Sequence, residues 1–464
     1  MMTFDAYTND EKISYLKAQA PHADIHVDDA VTQKYSANGR AASEIDGKIL
    51  AYVAVSDVDD IKGVLKTARK FHLPVVPQTA DSSTVIGADG IDGGLILSTA
   101  NMTTIKEISP DDGVAVVEPG VVNGDLDKAA REHGMFYAPD PGSKPFSSVG
   151  GNVGTNAGGM STVKYGATRD SVLGLKVVLA DGREIKVGGR TYKQAFGYDL
   201  THLFVGSEGT LGIVTEITVK LFPIPLGTSV MGSAFFPDMA ALAATVKDLR
   251  MSGIYPVMLE ALDGKTTAAL DEYEGTHYAE GNDAMLIFRL DAGGQEALDV
   301  AEKILNDHKA KHVHVTSDET EKKALEKLRQ DMLPAVFAHG NHIMEDMAVP
   351  LSKLAEMVDY VNQVAKELDV DIYTAGHAGD GNVHPSLLWP KDQPEPPAKV
   401  LEATRRLLKK ALELDGTISG EHAVGMLKNQ WTNAELGFDV DMIQHQIKDL
   451  FDPMGILNPK RKIN

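Results

Sequence analysis

Five of the ten residues from Gly150 to Gly159 are glycine, and mostly small or amide side chains fill the gaps. Glycine at this density lets main-chain N–H groups approach a ligand closely and point several donors at one spot, which suits a phosphate or pyrophosphate. The segment lies between two predicted strands and reads as a loop. It does not match G-x-G-x-x-G opening a helix after a strand, and it contains no G-K-[ST], so this segment is neither a dinucleotide fingerprint nor a Walker loop. On these residues alone, a phosphate-binding loop and a sharp turn are both open.

The same glycine-rich texture runs over residues 50–225. A strand is expected at 49–55 and a helix at 58–71, where Ile61, Val64, Leu65 and Ala68 share one face. Short strands follow at 73–77, 94–98, 113–119 and 175–179, the last turning through Asp181-Gly182 into 184–187 as a hairpin. Residues 211–221 alternate Ile213, Thr215, Ile217 and Val219 before Pro223 and Pro225 end the unit. Beyond that point longer helices, at 239–251, 294–309, 318–337, 351–368 and 400–414, alternate with strands at 284–290, 348–350 and 370–374. A domain boundary is expected near residue 225.

At 464 residues the chain exceeds what one core can organise, so two or three domains are expected. Its 66 acidic and 45 basic residues give a formal charge of -21, which disfavours a nucleic-acid backbone or an anionic bilayer as partner. A small anionic substrate then needs locally concentrated positive charge. No stretch approaches the roughly 18 consecutive apolar residues of a membrane span, and the first residues lack a basic segment followed by an apolar run. The expected location is the cytoplasm. With no cysteine, the chain has no disulfide, no thiolate metal ligand and no cysteine-held iron–sulfur cluster of its own. Any electrons it removes must pass to another protein or a small molecule.

The residues richest in chemistry lie near the other end, in Gly376-His377-Ala378-Gly379-Asp380-Gly381-Asn382-Val383-His384 and Ser419-Gly420-Glu421-His422. Two imidazoles and a carboxylate, from His377, His384 and Glu421, suit a divalent metal such as zinc, manganese or iron(II) and leave coordination positions open for a substrate. His422 is then a spare histidine beside the metal. The alternative is that the histidines are polar loop residues and that Glu421-His422 begins a helix.

Several runs together resemble the flavin domain of the vanillyl-alcohol oxidase superfamily: Pro74–Pro77, Gly150-Gly151-Asn152 to Gly158-Gly159, Lys164–Asp170, Gly174–Gly182 and Gly206–Glu216. The two metal-type motifs and Gly455-Ile456-Leu457-Asn458-Pro459 resemble its FAD-linked oxidase C-terminal branch, which includes D-lactate dehydrogenases, the glycolate oxidase flavin subunit and D-2-hydroxyglutarate dehydrogenase. The resemblance covers the chain from about residue 35 to the end. It implies an α+β protein with three parts. These are an FAD-binding α/β domain over 1–225, a substrate cap domain with an antiparallel sheet and flanking helices over 226–415, and a segment 416–464 packing back on the flavin domain.

By the same resemblance FAD would be held first by Pro77, Gln78, Thr79, Ala80, Asp81, Ser82, Ser83 and Gly87, then by Pro141. Gly150, Gly151, Asn152, Gly154, Thr155, Asn156, Gly158, Gly159, Tyr165 and Gly166 would follow. Glu208, Gly209, Gly212, Ile213 and Asn458 would complete the site. One loop departs from the family pattern: Thr79, Asp81 and Ile86 stand where glycines are expected, and Ala423-Val424 replaces Gly-Ile after Glu421-His422. Hydroxyls of Thr79, Ser82, Ser83 and Thr84 could replace some backbone donors, whereas Asp81 would repel a phosphate unless it turns outward. No histidine occurs between His72 and His133, so a dissociable flavin is expected.

The resemblance also assigns roles. His377, His384 and Glu421 bind the metal and His422 takes the hydroxyl proton of a 2-hydroxy acid, as an imidazole of pKa near ~6.5 can; a purely orienting role for His422 is the alternative. Arg329 is the candidate for pairing with the substrate carboxylate, against a solvated place in the charged face with Glu326 and Lys327. Leu333 and Met344 replace a hydroxyl residue and a lysine of the hydroxyglutarate enzyme, which favours a short substrate such as D-lactate, with glycolate also fitting. Glu345-Asp346 reads either as a pair of edge carboxylates or as second neighbours of the metal. Outside the resemblance, two other readings stand: a zinc hydrolase of a phosphorylated substrate, and a nucleotide-binding regulatory or electron-transfer subunit. The electron acceptor is left among an electron-transferring flavoprotein, a partner subunit, a quinone reached peripherally at the membrane, and oxygen.

Overall fold

Asp57 starts the first long helix, Val58–Phe71, by accepting the N–H of Asp60, and His72 ends it in the left-handed conformation. Its face of Ile61, Val64, Leu65 and Ala68 is fully buried. The computed structural model to which it belongs describes residues 7–36, 47–278, 283–292 and 294–463. The protein is of the α+β class, and its chain divides into two compact units. One comprises residues 1–158, 167–224 and 422–464, the other 159–166 and 225–421.

The first unit holds two larger sheets and a two-stranded one, Met135–Phe136 with Phe222–Pro223. A four-stranded sheet has the order Asp24–His26, Ala51–Ala54, Leu95–Ser98, Val75–Gln78, its last three strands parallel. A five-stranded antiparallel sheet has the order Ile105–Ser109, Val114–Val117, Ile213–Lys220, Val172–Val178, Glu184–Gly188. The C-terminal segment closes this unit. Val75 N–H donates to Ile456 O at 2.8 Å, Asn458 N–H donates to Val75 O at 2.8 Å, and Phe451 meets Phe204 edge-on at 5.3 Å. The segment expected to be a glycine loop is instead a helix, Val149–Thr155, with Ser148 as its N-cap and Asn156 ending it in the left-handed region. Glycine propensity argues against a helix here, but tertiary packing overrides it: a Cβ on Gly150 would stand 2.4 Å from Pro119.

The second unit is built on an eight-stranded antiparallel sheet. Its order is Lys311–Thr316, Val230–Phe236, Ala284–Leu290, Met258–Leu262, Asp371–His377, Asn382–Trp389, Asn341–Met344, with Met347–Ala348 pairing on Asn382–Trp389. Helices Met239–Met251, Gly264–Glu274, Gly294–Asp307, Glu319–Phe337 and Leu354–Leu368 flank it. Five of these strands and the helix Gly264–Glu274 carry no clear signature in the sequence. Val230–Phe236, Met258–Leu262 and Asn382–Trp389 are buried at every position, so the alternation that betrays a half-exposed strand is missing.

Candidate active site

The strands Asp371–His377 and Asn382–Trp389 form a hairpin in which Ala375 lies opposite His384. Because side chains alternate along each strand, His377 falls on the same face as His384, diagonally across the pair. Their rings stand 5.3 Å apart and nearly perpendicular. The hairpin turn needs glycine twice. A Cβ on Gly376 would stand 2.2 Å from Asn382 O, and Gly381, at φ 81°, would place one 2.1 Å from Val349 O.

Glu421 completes the group. Its Oε1 is 3.2 Å from His377 Nε2 and 3.3 Å from His384 Nε2. The other nitrogen of each ring is held elsewhere: His377 Nδ1 donates to Glu260 Oε1 at 2.5 Å, and His384 Nδ1 donates to the main-chain oxygen of Glu345 at 3.3 Å. Fixing the proton on Nδ1 directs both Nε2 lone pairs at the spot that Glu421 faces, the arrangement in which imidazoles ligate a metal. The ligand atoms of His377, His384 and Glu421 all lie within 4.8 Å of one another, and with two imidazoles and one carboxylate this donor set fits a divalent cation.

Glu421 is presented by Asp346. The Asp346 carboxylate accepts from Glu421 N–H at 3.0 Å, from the Ser419 hydroxyl at 3.0 Å and from the Asn382 amide at 2.8 Å. Gly420 permits this, since a Cβ there would lie 1.9 Å from Asn382 Nδ2. Asp346 is 0% exposed and Glu345 is buried, so these are not edge carboxylates.

Glu260 went unseen in the sequence. It sits on Met258–Leu262 at 3% exposure, and Arg329 Nε donates to its second oxygen at 3.2 Å. Arg329 is therefore no solvated member of a charged face; its side chain is largely covered and belongs to a chain Arg329–Glu260–His377. The only signal was an acid inside the apolar run Met258-Leu259-Glu260-Ala261-Leu262, and a buried carboxylate requires a partner. Burial works against charge here, yet the Glu260 and Glu421 carboxylates hold His377 well above the usual imidazole range. Burial is likewise outweighed at Glu421, which His377 and His384 hold well below the usual carboxylate range. The site thus favours positive charge between two carboxylates, a charge that a bound cation would supply in place of the His377 Nε2 proton.

His422, the next residue, falls in the first unit, where the backbone after it is fixed by Glu208. The Glu208 carboxylate accepts the N–H groups of Val424 and Gly425 at 3.0 and 2.8 Å.

Of the residues expected to hold a flavin, Gly159, Tyr165 and Gly166 lie in the second unit and all others in the first. Tyr165 donates its hydroxyl to Asp291. Several of the others are engaged within the protein. The Gln78 amide donates to Ala88 O at 3.2 Å, the Thr155 hydroxyl to Gly151 O at 3.2 Å, and Asn156 Oδ1 accepts Arg169 N–H at 2.9 Å. Gly209 and Gly212 pack on Pro77 and Val177. Asp81 is exposed. By contrast, a Cβ on Gly142 or Gly154 would meet no atom within 4 Å, and Asn152 Nδ2 is buried with no hydrogen-bond partner among the described residues. Open space beside glycine backbone and an unsatisfied buried donor fit a ligand bearing acceptor oxygens.

The chain is similar to known proteins over most of its length. A family model described as FAD linked oxidases, C-terminal domain, matches residues 228–461, and an FAD binding domain matches residues 49–188. The chain is 38% identical over 413 residues to glycolate oxidase subunit GlcD of Bacillus subtilis, covering 88% of each. It is 31% identical to glycolate oxidase subunit GlcD of Escherichia coli K12, over 97% of this chain and 90% of that one. A D-lactate dehydrogenase of Anaerostipes hadrus is 33% identical over 97% of this chain and 96% of its own. Among solved structures, 4-ethylphenol oxidase from Gulosibacter chungangensis superposes with a TM-score of 0.78 at 18% identity, covering 99% and 98% of the two chains. p-Cresol methylhydroxylase superposes equally well, with a TM-score of 0.78 at 18% identity over 98% and 97%. At this identity the last two speak for the fold alone.

Proposed function

Because the chain belongs to the FAD-linked oxidases of the vanillyl-alcohol oxidase superfamily, in the branch of glycolate oxidase flavin subunits and D-lactate dehydrogenases, we propose that it oxidises a short 2-hydroxy acid, D-lactate to pyruvate. It is an FAD-linked oxidoreductase, and the hydrolase and regulatory-subunit readings give way to that. The observation that carries the finer reading is the convergence of His377 Nε2, His384 Nε2 and Glu421 with Arg329 one carboxylate away.

FAD, when bound, supplies the acceptor for the hydride that leaves the substrate carbon. His377, His384 and Glu421 would hold a divalent metal, whose Lewis acidity would lower the pKa of a chelated hydroxyl. His422 takes the hydroxyl proton as hydride departs, so the products are a 2-keto acid, a reduced cofactor and one proton on imidazole. Arg329 orients the substrate carboxylate while its Nε stays on Glu260, and Glu260 keeps His377 in the tautomer that exposes Nε2. Leu333 packs among the apolar residues around Met332 and Ala335, which offers nothing to a second, distal carboxylate. This supports the reading of D-lactate or glycolate over D-2-hydroxyglutarate.

We assign the cofactor to the first unit and the metal ligands to the second, and expect the electrons to pass to an electron-transferring flavoprotein, a partner subunit or a quinone. No helix among the described residues is long and apolar enough to cross a membrane. A cytoplasmic location is part of this proposal.

The test is an anaerobic visible spectrum of the metal-replete protein before and after D-lactate, with L-lactate, glycolate and D-2-hydroxyglutarate in parallel. Bleaching by D-lactate is expected; bleaching by glycolate alone would replace the substrate, and no bleaching by any of them would overturn the reaction. His422→Asn should abolish bleaching while metal content holds. Loss of metal together with turnover would make His422 a ligand or support instead of the base.

A further inference from the structure

The loop 78–90 lacks three glycines expected of it, yet at two of those positions the backbone keeps the shape that glycine would give. Asp81 and Ile86 have φ of 52° and 56°, in the left-handed region, and Ala423, another residue in a glycine's place, has φ 72°. For a β-branched residue such as Ile86 this conformation is strained and persists only where surroundings impose it.

The surroundings are the C-terminal tail. Five consecutive carbonyls of the loop each accept a hydrogen bond from outside it or across it. Val85 O accepts Met426 N–H at 3.1 Å, and Ile86 O accepts Arg461 Nε–H at 3.4 Å. Gly87 O accepts the Asn458 amide at 3.1 Å, Ala88 O accepts the Gln78 amide at 3.2 Å, and Asp89 O accepts Arg461 Nη2 at 2.6 Å. Arg461 is 1% exposed and its remaining arm donates to Pro459 O at 3.1 Å, so the guanidinium is committed to main-chain oxygens. In a trans peptide the N–H points opposite to the preceding C=O. Drawing these carbonyls toward the tail therefore turns the following N–H groups away from it. Those of Ile86, Gly87 and Ala88 have no acceptor among the described residues.

We propose that Arg461 and Asn458 are positioning residues for the cofactor: by holding the carbonyls of Ile86, Gly87 and Asp89 they impose on a glycine-poor loop the left-handed geometry that presents its N–H groups to the FAD pyrophosphate. The tail replaces, by hydrogen bonding, the freedom that the missing glycines would supply. This rests on the reading of the loop as a flavin-binding element.

The test is the FAD dissociation constant of the apoprotein, from quenching of flavin fluorescence, together with its melting temperature. Arg461→Met should weaken FAD at least about tenfold, or about 1.4 kcal/mol. The decisive comparison is with Ile86→Gly, because glycine adopts positive φ without help. In that background Arg461→Met should cost less than about threefold, and Ile86→Gly should restore affinity to the Arg461→Met protein without restoring its melting temperature. Equal losses in both backgrounds, or unchanged affinity in the first, would overturn the proposal. Should Arg461→Met not fold, Arg461→Lys, with fewer donors and the charge kept, takes its place under the same criteria. Wild-type protein that does not bind FAD would instead defeat the flavin reading of the loop.

Discussion

Glu260 joins two residues that the chemistry needs and that no sequence pattern connects. Its carboxylate accepts from His377 Nδ1 on one oxygen and from Arg329 Nε on the other, at 3% exposure. In Glu260→Gln the amide can satisfy only one of these. If its NH2 faces His377, the ring must move its proton to Nε2, where it blocks coordination; if its oxygen does, the NH2 confronts a guanidinium. Metal affinity should fall about 10–100-fold, as for other supports of metal-bound imidazoles. Metal content after dialysis against a weak chelator measures it, and unchanged content would remove Glu260 from the metal's surroundings. His377, His384, Glu421 and His422 were legible at this scale because each lies in a short glycine-bordered motif. Glu260 was not, and Asp346 stayed open between two readings, because their partners come from elsewhere in the chain.

At the scale of elements, the hairpin Asp371–His377 and Asn382–Trp389 is what turns a spacing in the sequence into a pair of facing imidazoles. Gly381 governs its turn. Gly381→Ala places a side chain at φ 81° and 2.1 Å from a main-chain oxygen, so the turn must open. A loss of about 2 kcal/mol is expected from the backbone conformation alone. Metal binding should fall further than stability does, because the diagonal between His377 and His384 passes through this turn; thermal melts with and without added metal separate the two. An equal shift of both melts would mean that the turn is structural only. Helix Val58–Phe71 and strand Ile213–Lys220 could be read from periodicity, since each has one face in the core and one in water. Met258–Leu262 could not, being covered on both faces.

For the whole molecule, the first unit is assembled from three stretches of chain, the last being residues 422–464. That stretch supplies the partners of Val75, Glu208, Gly87 and Asp89. A protein ending at residue 421 is therefore expected to lose the structure of the first unit and with it FAD binding, although every glycine of residues 150–159 is retained. Limited proteolysis and flavin content check this; a protease-resistant, FAD-binding truncation would show that the tail only decorates the unit. Adding FAD at about a hundred times its dissociation constant should stabilise the full chain by about 2.7 kcal/mol, and the truncated one not at all.

Sequence by itself determined the flavin type of the glycine segments, and it brought His377, His384, Glu421 and His422 into view as candidates for one site. All of these are local: turns, caps and short spacings are settled by neighbours along the chain. What the tertiary structure decided is long-range. The glycine segment became a helix because Gly150 lies against Pro119. Arg329 was drawn to a carboxylate 69 residues away, and Glu260 to a histidine 117 residues away. The loop 78–90 keeps a glycine's shape because a tail more than 370 residues distant holds its carbonyls. A buried polar group must find a partner, but its own sequence does not say which; only the folded chain, by bringing distant segments together, makes the choice.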